Sequence, residues 1–259
     1  MNTQEILHSD NGIFNLLLIK LYTRQLKPGE KLPSLKAFAK ELGIDQASLR
    51  IALKQLEMMN LIDIKRSDGV YVKNFKETGG VEFLTHLFSI KEIQENESIL
   101  DSFLVEEVLS FWIATYPEIL FMACLRYSSL DLKNFLEILD SQIENIDNIE
   151  KLVELDYQAQ ELIGKLANNL IVSLFLNSMA PLIQKMTDVF YRRLSKKSRL
   201  HFLQVKKKGT YRLMNGTLDL RVSTENFRKE MKNCRKEIRI SIAEDMILNQ
   251  HDNKTDKNI

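Results

Sequence analysis

Residues 26–72 read LKPGEKLPSLKAFAKELGIDQASLRIALKQLEMMNLIDIKRSDGVYV, and the punctuation of this stretch decides the fold. Pro28 and Gly29 stop whatever helix precedes them. Ser34 is a helix cap ahead of the apolar set Leu35, Phe38, Ala39 and Leu42, and Gly43 supplies the C-terminal stop. Asp45 caps a further helix in the same way. Within it Leu49, Ala52, Leu53 and Leu56 recur at i, i+3, i+4 and i+7, which turns Gln46, Ala47, Ser48 and Arg50 away from the core. Leu61-Ile62-Asp63-Ile64 and Val70-Tyr71-Val72 then flank the tip Lys65-Arg66-Ser67-Asp68-Gly69, the pattern of two short strands around a turn. Upstream, Ile13, Leu16, Leu17 and Leu21 space a helix over about residues 11–25. A short helix, a three-residue turn, a second helix with a polar outer face and a hairpin predict a winged helix-turn-helix of three helices and a two-stranded wing.

Working outward, NFKETGG at residues 74–80 is a polar connector. From Val81 to Gln250 apolar residues keep helical spacing, as in Ile99, Phe103, Val105, Leu109 and Trp112, then Phe135, Ile138 and Leu139, then Leu162, Ile163 and Leu166. No alternating stretch interrupts them, so a bundle of six or seven helices is expected. The chain of 259 residues, with 9 Gly, 4 Pro, 44% hydrophobic and 27% charged residues, is therefore expected to be mainly α. It divides into a winged-helix domain at 1–73, a linker at 74–80, an all-helical domain at 81–250 and a polar tail at 251–259.

The charge balance is strongly uneven along the chain. Residues 82–156 hold 4 Lys/Arg against 16 Asp/Glu, whereas residues 192–212 hold nine Lys/Arg and no acid. The acidic stretch would repel a polyanion. The basic one reads as a solvated connection between helices or as a contact for a phosphate-bearing ligand or a DNA backbone. Cys124 and Cys234 have no CxxC partner, which suggests neither a disulfide framework nor a zinc knuckle. The first twelve residues lack the basic and apolar regions of a signal peptide, and no run of 18 apolar residues occurs, so a soluble, cytoplasmic protein without membrane contact is expected. GxSxG, P-loop and HExxH motifs are absent, and the adjacent pair Glu106-Glu107 would point about 100° apart on a helix, so an enzyme is not expected.

The ordered set Pro28-Gly29, Leu32-Pro33-Ser34, Leu42-Gly43-Ile44, Leu49-Arg50, Ala52-Leu53, Leu56 and Gly69-Val70-Tyr71-Val72 resembles the winged-helix domain of the GntR family of bacterial transcription regulators. The resemblance implies DNA contacts for Ser34, Lys36, Gln46, Ser48, Arg50 and the wing residues Arg66 and Gly69. Two positions depart from the family pattern: Lys36 stands where Arg is usual, and Asp45-Gln46 where Ser/Thr-Arg is usual. An arginine suited to bidentate guanine recognition is thus missing, which leaves Gln46 to read an adenine edge and Lys36 to hold a phosphate as a point charge. Asp45 reads as an N-cap without a base contact, and Arg50 has an intrahelical ion pair as its alternative role.

Further along, VKNFKETGGVEFLTHLF and the order Leu155-Asp156-Tyr157, Leu166-Ala167, Asn169, Ile171 and Leu176-Asn177-Ser178-Met179 resemble the FadR subfamily, the fatty-acid-responsive members. The likeness is close in those segments and loose over about 85–150 and 200–240. Many relatives with this domain hold a divalent metal through one Asp and three His. Here Asp156 is kept, but Gln160, Tyr211 and Cys234 fall at the other positions and only four histidines exist in the chain, so no metal is expected. The resemblance instead implies a long-chain acyl-CoA effector, with no other cofactor. Candidate pocket residues are Tyr157, Asn177, Met179, Phe190, Tyr191 and Tyr211, the aromatic pair Phe190 and Tyr191 having core packing as its alternative.

The function implied is a homodimeric regulator of fatty-acid metabolism on a pseudo-palindromic double-stranded DNA operator, released or recruited by acyl-CoA. Two other readings stay open. One is a GntR-type regulator answering to a small carboxylate or other metabolite. The other is a helical acyl-CoA-binding or scaffold protein that does not bind DNA, which the acids Asp45 and Asp68 near the reading surface would favour.

Overall fold

The computed structural model describes residues 11–91, 93 and 102–255, the side chains of residues 102 and 246–255 excepted. Its elements run α1 (Gly12–Tyr22), α2 (Leu35–Leu42), α3 (Gln46–Met58), β1 (Ile62–Lys65), β2 (Gly69–Val72), α4 (Phe75–Thr78), α5 (Val81–Ser89), α6 (Ser102–Cys124), α7 (Ser129–Glu144), α8 (Ile149–Ala167), α9 (Leu170–Arg193), α10 (Lys196–Met214) and α11 (Leu220–Thr255). The chain is mainly α, with a winged helix-turn-helix ahead of a helical bundle. Two compact units are present, residues 1–99 with 178–182, and residues 100–177 with 183–259.

In the first unit each helix end follows its capping chemistry. Ser34 Oγ accepts from the Ala37 amide at 3.3 Å, and Asp45 Oδ1 accepts from the Ser48 amide at 2.8 Å. Gly43 stands at φ 69°, the left-handed conformation a tight exit from α2 requires and which costs glycine nothing. The apolar stripe of α3 is fully inside, Leu49, Ala52, Leu53 and Leu56 all being buried. Each buried leucine contributes on the order of 1.5–3 kcal/mol relative to exposure. β1 and β2 pair antiparallel, with Ile62 opposite Val72 and Lys65 opposite Gly69. A third edge joins them: the Leu32 amide donates to the Val70 carbonyl and the Gly29 amide to the Val72 carbonyl, both at 2.8 Å. This edge has no alternating apolar pattern, so periodicity alone does not reveal it.

Helix α1 buries more than one face. Phe14, Leu16, Leu17, Leu18, Ile19 and Leu21 are all inside because α1 packs on α3 and on α5. The expected face held Leu16, Leu17 and Leu21 together with Ile13, which is only half-buried. The stretch expected as a polar linker, 74–80, contains the single turn α4, and it is tied down. Phe75 lies 4.8 Å from the Phe83 ring of α5, and the Arg24 guanidinium sits 4.3 Å over Phe75. The compact unit consequently continues past residue 73, through α5, and residues 81–89 pack with the winged helix.

The second unit is held by a core in which Leu139, Ile146, Leu152, Tyr191 and Leu203 meet, with Phe190 packed against them. Its sequence-distant charges pair with one another. Arg192 bonds Glu150 at 2.9 Å, Lys196 bonds Asp147 at 2.6 Å, Lys206 bonds Asp156 at 3.2 Å and Lys207 bonds Asp140. The basic run 192–212 is thus the end of α9 and most of α10, where it neutralises acids from residues 140–156, rather than a solvated connection. Across α6 and α11, Glu118 meets Arg221 and Arg228, and Glu106 meets Arg235 and Arg239. Arg228 also answers a backbone defect. Pro117 has no N–H for the Ile113 carbonyl, and Arg228 Nη1 donates to that carbonyl at 2.7 Å.

Phe103–Cys124 and Leu170–Arg193 are long and apolar enough to cross a membrane by length and composition, each with a mean hydropathy of 1.2. The first of them packs along α8 and α11 within the bundle. The backbone of α11 continues to Thr255, into the stretch expected as a polar tail. Residues 256–259 and Ile99 lie outside the described residues, as do residues 1–10.

Candidate nucleic-acid interface and ligand cavity

The reading surface is built from the two caps and the wing. Ser34 and Asp45 use their side-chain oxygens on helix N-termini, which leaves the N-terminal ends of α2 and α3 presenting Lys36, Gln46 and Arg50 to solvent. Ser48 is half-buried, its amide on the Asp45 carboxylate. Among the described residues Arg50 and Lys36 make no ion pair, so the intrahelical pairing considered for Arg50 does not form. Ile51 is 63% exposed beside Arg50, an apolar contact of the kind a thymine methyl offers. It lies one residue off the buried stripe, and that offset is the only signal the sequence carried for it.

At the wing, Arg66 and Ser67 are exposed and Ser67 adopts φ 63° to close the turn. At Gly69 the Lys31 side chain passes close by: a Cβ there would stand 2.5 Å from Lys31 Cε and would displace that flexible side chain. Lys31 crosses the strand at this point to bond Asp68 at 2.7 Å, and the Tyr71 hydroxyl donates to the same carboxylate at 3.0 Å. The Lys31 ammonium, with Tyr71 beside it, holds the Asp68 carboxyl below the usual carboxylate range. The Asp45 carboxyl is lowered as well, by its hydrogen bonds to Ser48. Both acids that would oppose a phosphate backbone are therefore engaged, one by a cation and one by a helix terminus. Lys31 was not among the residues expected from sequence, because its partner lies 37 residues away.

In the helical unit the polar centre is Asp156. Its Oδ1 accepts from Tyr191 Oη at 3.0 Å, from Lys206 Nζ at 3.2 Å and from Gln142 Nε2 at 3.4 Å, and its Oδ2 accepts from Gln160 Nε2 at 2.7 Å. Burial pushes the carboxyl pKa up, but the Lys206 charge and the hydrogen bonds from Gln160 and Tyr191 outweigh it and hold the group below its ordinary value. Burial, with Asp156 nearby, pushes the Tyr191 phenol well up. Asp156 and Gln160 are thus together, whereas Tyr211 is exposed and Cys234 is buried apart from this cluster, its thiol pushed up to about 12 by burial.

Beside this cluster lies a cavity of about 260 Å³ lined by apolar side chains such as Leu120, Phe135, Ile163 and Phe227, together with Tyr116 and Lys206. None of the six residues expected to line a ligand pocket faces it. Phe190 and Tyr191 belong to the core, Met179 is buried elsewhere, Tyr157 is half-buried, and Asn177 and Tyr211 are exposed. Asn177, Met179, Phe190 and Tyr191 lie on α9, which lends the cavity no side chain, and Tyr157 and Tyr211 turn away from it on α8 and α10; which helices and which of their sides face a cavity depends on packing between segments far apart in the chain.

Comparison with known proteins follows the same division. Residues 10–72 match the model of the bacterial regulatory proteins of the gntR family. The chain therefore carries a GntR-family transcription-regulator domain. Among curated relatives it is 25% identical over 138 residues to the HTH-type transcriptional regulator Mce2R of Mycobacterium tuberculosis, covering 53% of each chain. It is 26% identical to LutR of Bacillus subtilis, over 60% of this chain and 70% of that one. To the fatty acid metabolism regulator protein of Klebsiella pneumoniae it is 25% identical, over 63% of this chain and 64% of that one. The chain spans about half the length of the first of these relatives. These relatives are named as regulators, not as enzymes. Among solved structures, that of Lar, described as controlling expression of the Listeria monocytogenes agr system, is similar at 15% identity and a TM-score of 0.49, over 88% of this chain and 94% of that one.

Proposed function

We propose that the protein is a non-enzymatic, sequence-specific transcription regulator that binds a pseudo-palindromic double-stranded DNA operator as a homodimer, with DNA affinity set by an acyl-CoA held in its helical unit. The observation that carries the reading is the exposed set Lys36, Gln46, Arg50 and Arg66, without an ion pair among the described residues, on a winged helix whose acids Asp45 and Asp68 are engaged internally. Placed in a major groove, α3 brings Gln46 and Arg50 to base edges, while Lys36 and Arg66 meet phosphates and position the domain. Such a regulator works in the cytoplasm.

The effector half of the reading rests on the mainly apolar cavity, on its cationic edge and on likeness to relatives that include fatty acid metabolism regulators. Lys208 and Arg212 line the cavity and are exposed, which suits an anionic group leaving it. The domain needs no metal in this proposal. Lys206 already supplies the positive charge beside Asp156 at 3.2 Å, so a divalent cation placed there would meet an ammonium. Ligand then changes DNA affinity only through its differential affinity for two states, about 1–3 kcal/mol for a 5- to 150-fold effect.

The test is selection of genomic DNA fragments by the purified protein at fixed salt, with and without palmitoyl-CoA. The proposal expects specific fragments to be captured and their affinity to change when the thioester is added. Capture that ignores the thioester would leave a regulator with another effector, and no specific capture would remove the DNA-binding reading.

A further inference from the structure

The tip of the wing is a turn that needs support from outside itself. A two-stranded hairpin is marginal alone. Lys65 opposite Gly69 is the last pair of β1 and β2, and beyond it the Asp68 amide donates to the Lys65 carbonyl at 3.2 Å. Ser67 stands at φ 63°, a left-handed conformation that is costly for a residue with a Cβ. Arg66, exposed on this turn, is one of the cations proposed to meet DNA.

The support comes from 37 residues earlier in the chain. Lys31 lies opposite Tyr71 on the edge that joins the hairpin, where the Leu32 amide donates to the Val70 carbonyl at 2.8 Å and the Val72 amide to the Glu30 carbonyl at 2.9 Å. From this edge the Lys31 ammonium reaches Asp68 Oδ1 at 2.7 Å, while the Tyr71 hydroxyl of β2 donates to Asp68 Oδ2 at 3.0 Å. The Lys31 and Lys65 ammoniums lie 5.4 and 4.7 Å from the centroid of the Tyr71 ring, both within reach of a cation–π attraction. Asp68 is thus held by two donors rooted in two different segments. Lys31 also lies just ahead of Ser34, the N-cap of α2. The tip that carries Arg66 is therefore tied to the segment leading into the helix end that carries Lys36.

We propose that Lys31, Asp68 and Tyr71 form a pin that sets the wing tip in its DNA-binding conformation, with Asp68 a positioning residue that raises DNA affinity although it is an acid. By charge alone an acid here opposes the phosphates. Its benefit is that the tip is ordered before DNA arrives, so the entropy of fixing Arg66 is lost in folding and not in binding. The two effects have opposite signs, which makes them separable. The inference rests on the DNA reading above and adds which groups hold the wing for it.

Two readouts on the full chain test the pin and its role apart. The first needs no DNA: brief trypsin digestion, followed by mass spectrometry, reports cleavage after Lys65 and Arg66. Asp68→Ala and Lys31→Met are each expected to speed that cleavage about threefold to fivefold, the upper range for an exposed ion pair. Asp68→Glu, which keeps the charge, is expected to be cleaved like the parent. The second readout is affinity, at one fixed salt concentration, for the genomic fragments that the parent protein selects. Asp68→Ala is expected to bind them about threefold to fivefold more weakly, and Asp68→Glu to keep the parent affinity. Denaturant titration checks that each variant is folded.

Tighter DNA binding by Asp68→Ala, or tip cleavage no faster than in the parent, would overturn the inference. Faster cleavage with unchanged DNA affinity would overturn it as well, leaving a pin in the free protein with no part in recognition. A parent protein that selects no fragment would remove the DNA reading and the positioning role together, whatever the cleavage shows.

Discussion

At the scale of single residues, the proposed reading surface is expected to divide its tasks between its two ends. Lys36 faces solvent as a point charge, and its replacement by Ala is expected to weaken binding to all DNA sequences alike and to reduce the salt slope by about 1. Gln46→Ala is expected to act differently, relaxing preference at one base pair by about 1–3 kcal/mol with the salt slope kept. Binding measured over a salt series on matched and mismatched sites separates the two, and identical behaviour of the variants would deny Gln46 a base. Ser34→Ala removes a cap that accepts from Ala37 and is expected to cost about 1 kcal/mol of stability in a denaturant titration. These residues were legible because caps and outward positions are local properties, set within four residues in sequence. Lys31 was not, since its ion pair with Asp68 exists only after the hairpin closes.

At the scale of elements, helix contacts far apart in sequence carry the energetics that periodicity cannot show. The stripe of α3 was readable from leucine spacing, whereas the double-sided burial of α1 became evident only with α5 in place. Asp156 and Lys206 lie 50 residues apart and form a buried pair. Lys206→Met, which strands the carboxylate, is expected to cost roughly 3–5 kcal/mol, whereas the double change with Asp156→Leu stays near neutral. The pH dependence has a definite sign. The Asp156 pKa is lowered in the folded state, so its contribution is complete above the unfolded value of about 3.9 and is lost as pH falls through the folded one. Unfolding followed from pH 6 to pH 2 checks this, and in the double variant that part of the acid sensitivity should vanish. Arg228→Met is expected to cost about 1–3 kcal/mol, because the Ile113 carbonyl that Pro117 cannot serve loses its donor. A neutral Arg228→Met would mean that the carbonyl finds another partner.

At the scale of the whole molecule, the uneven charge along the chain resolves into two different uses. Acids of residues 140–156 pair with Arg192, Lys196, Lys206 and Lys207 of the basic run 192–212 inside the helical unit, so four of its nine cations are spent on the fold in this way. On the winged helix Lys31 and Lys54 pair with Asp68 and Glu57, whereas Lys36, Arg50 and Arg66 make no ion pair among the described residues and are the cations proposed to meet DNA. Composition alone exposed the imbalance but not its purpose, because complementary charges in sequence become partners only through packing. A pseudo-palindromic operator needs two reading heads, so sedimentation is expected to show twice the chain mass without DNA and two chains per operator with it. A monomer that retains specific operator affinity would contradict the symmetric arrangement.

The central claim is that the surface formed by α2, α3 and the wing reads DNA. The most direct measurement is affinity for the selected genomic fragments, at one fixed salt concentration, of the parent protein and of the Lys36→Ala, Arg50→Ala double variant, with circular dichroism confirming that both are folded. The account predicts specific binding by the parent and its loss in the folded double variant. Equal specific affinity in the two proteins, or none in the parent, would contradict it.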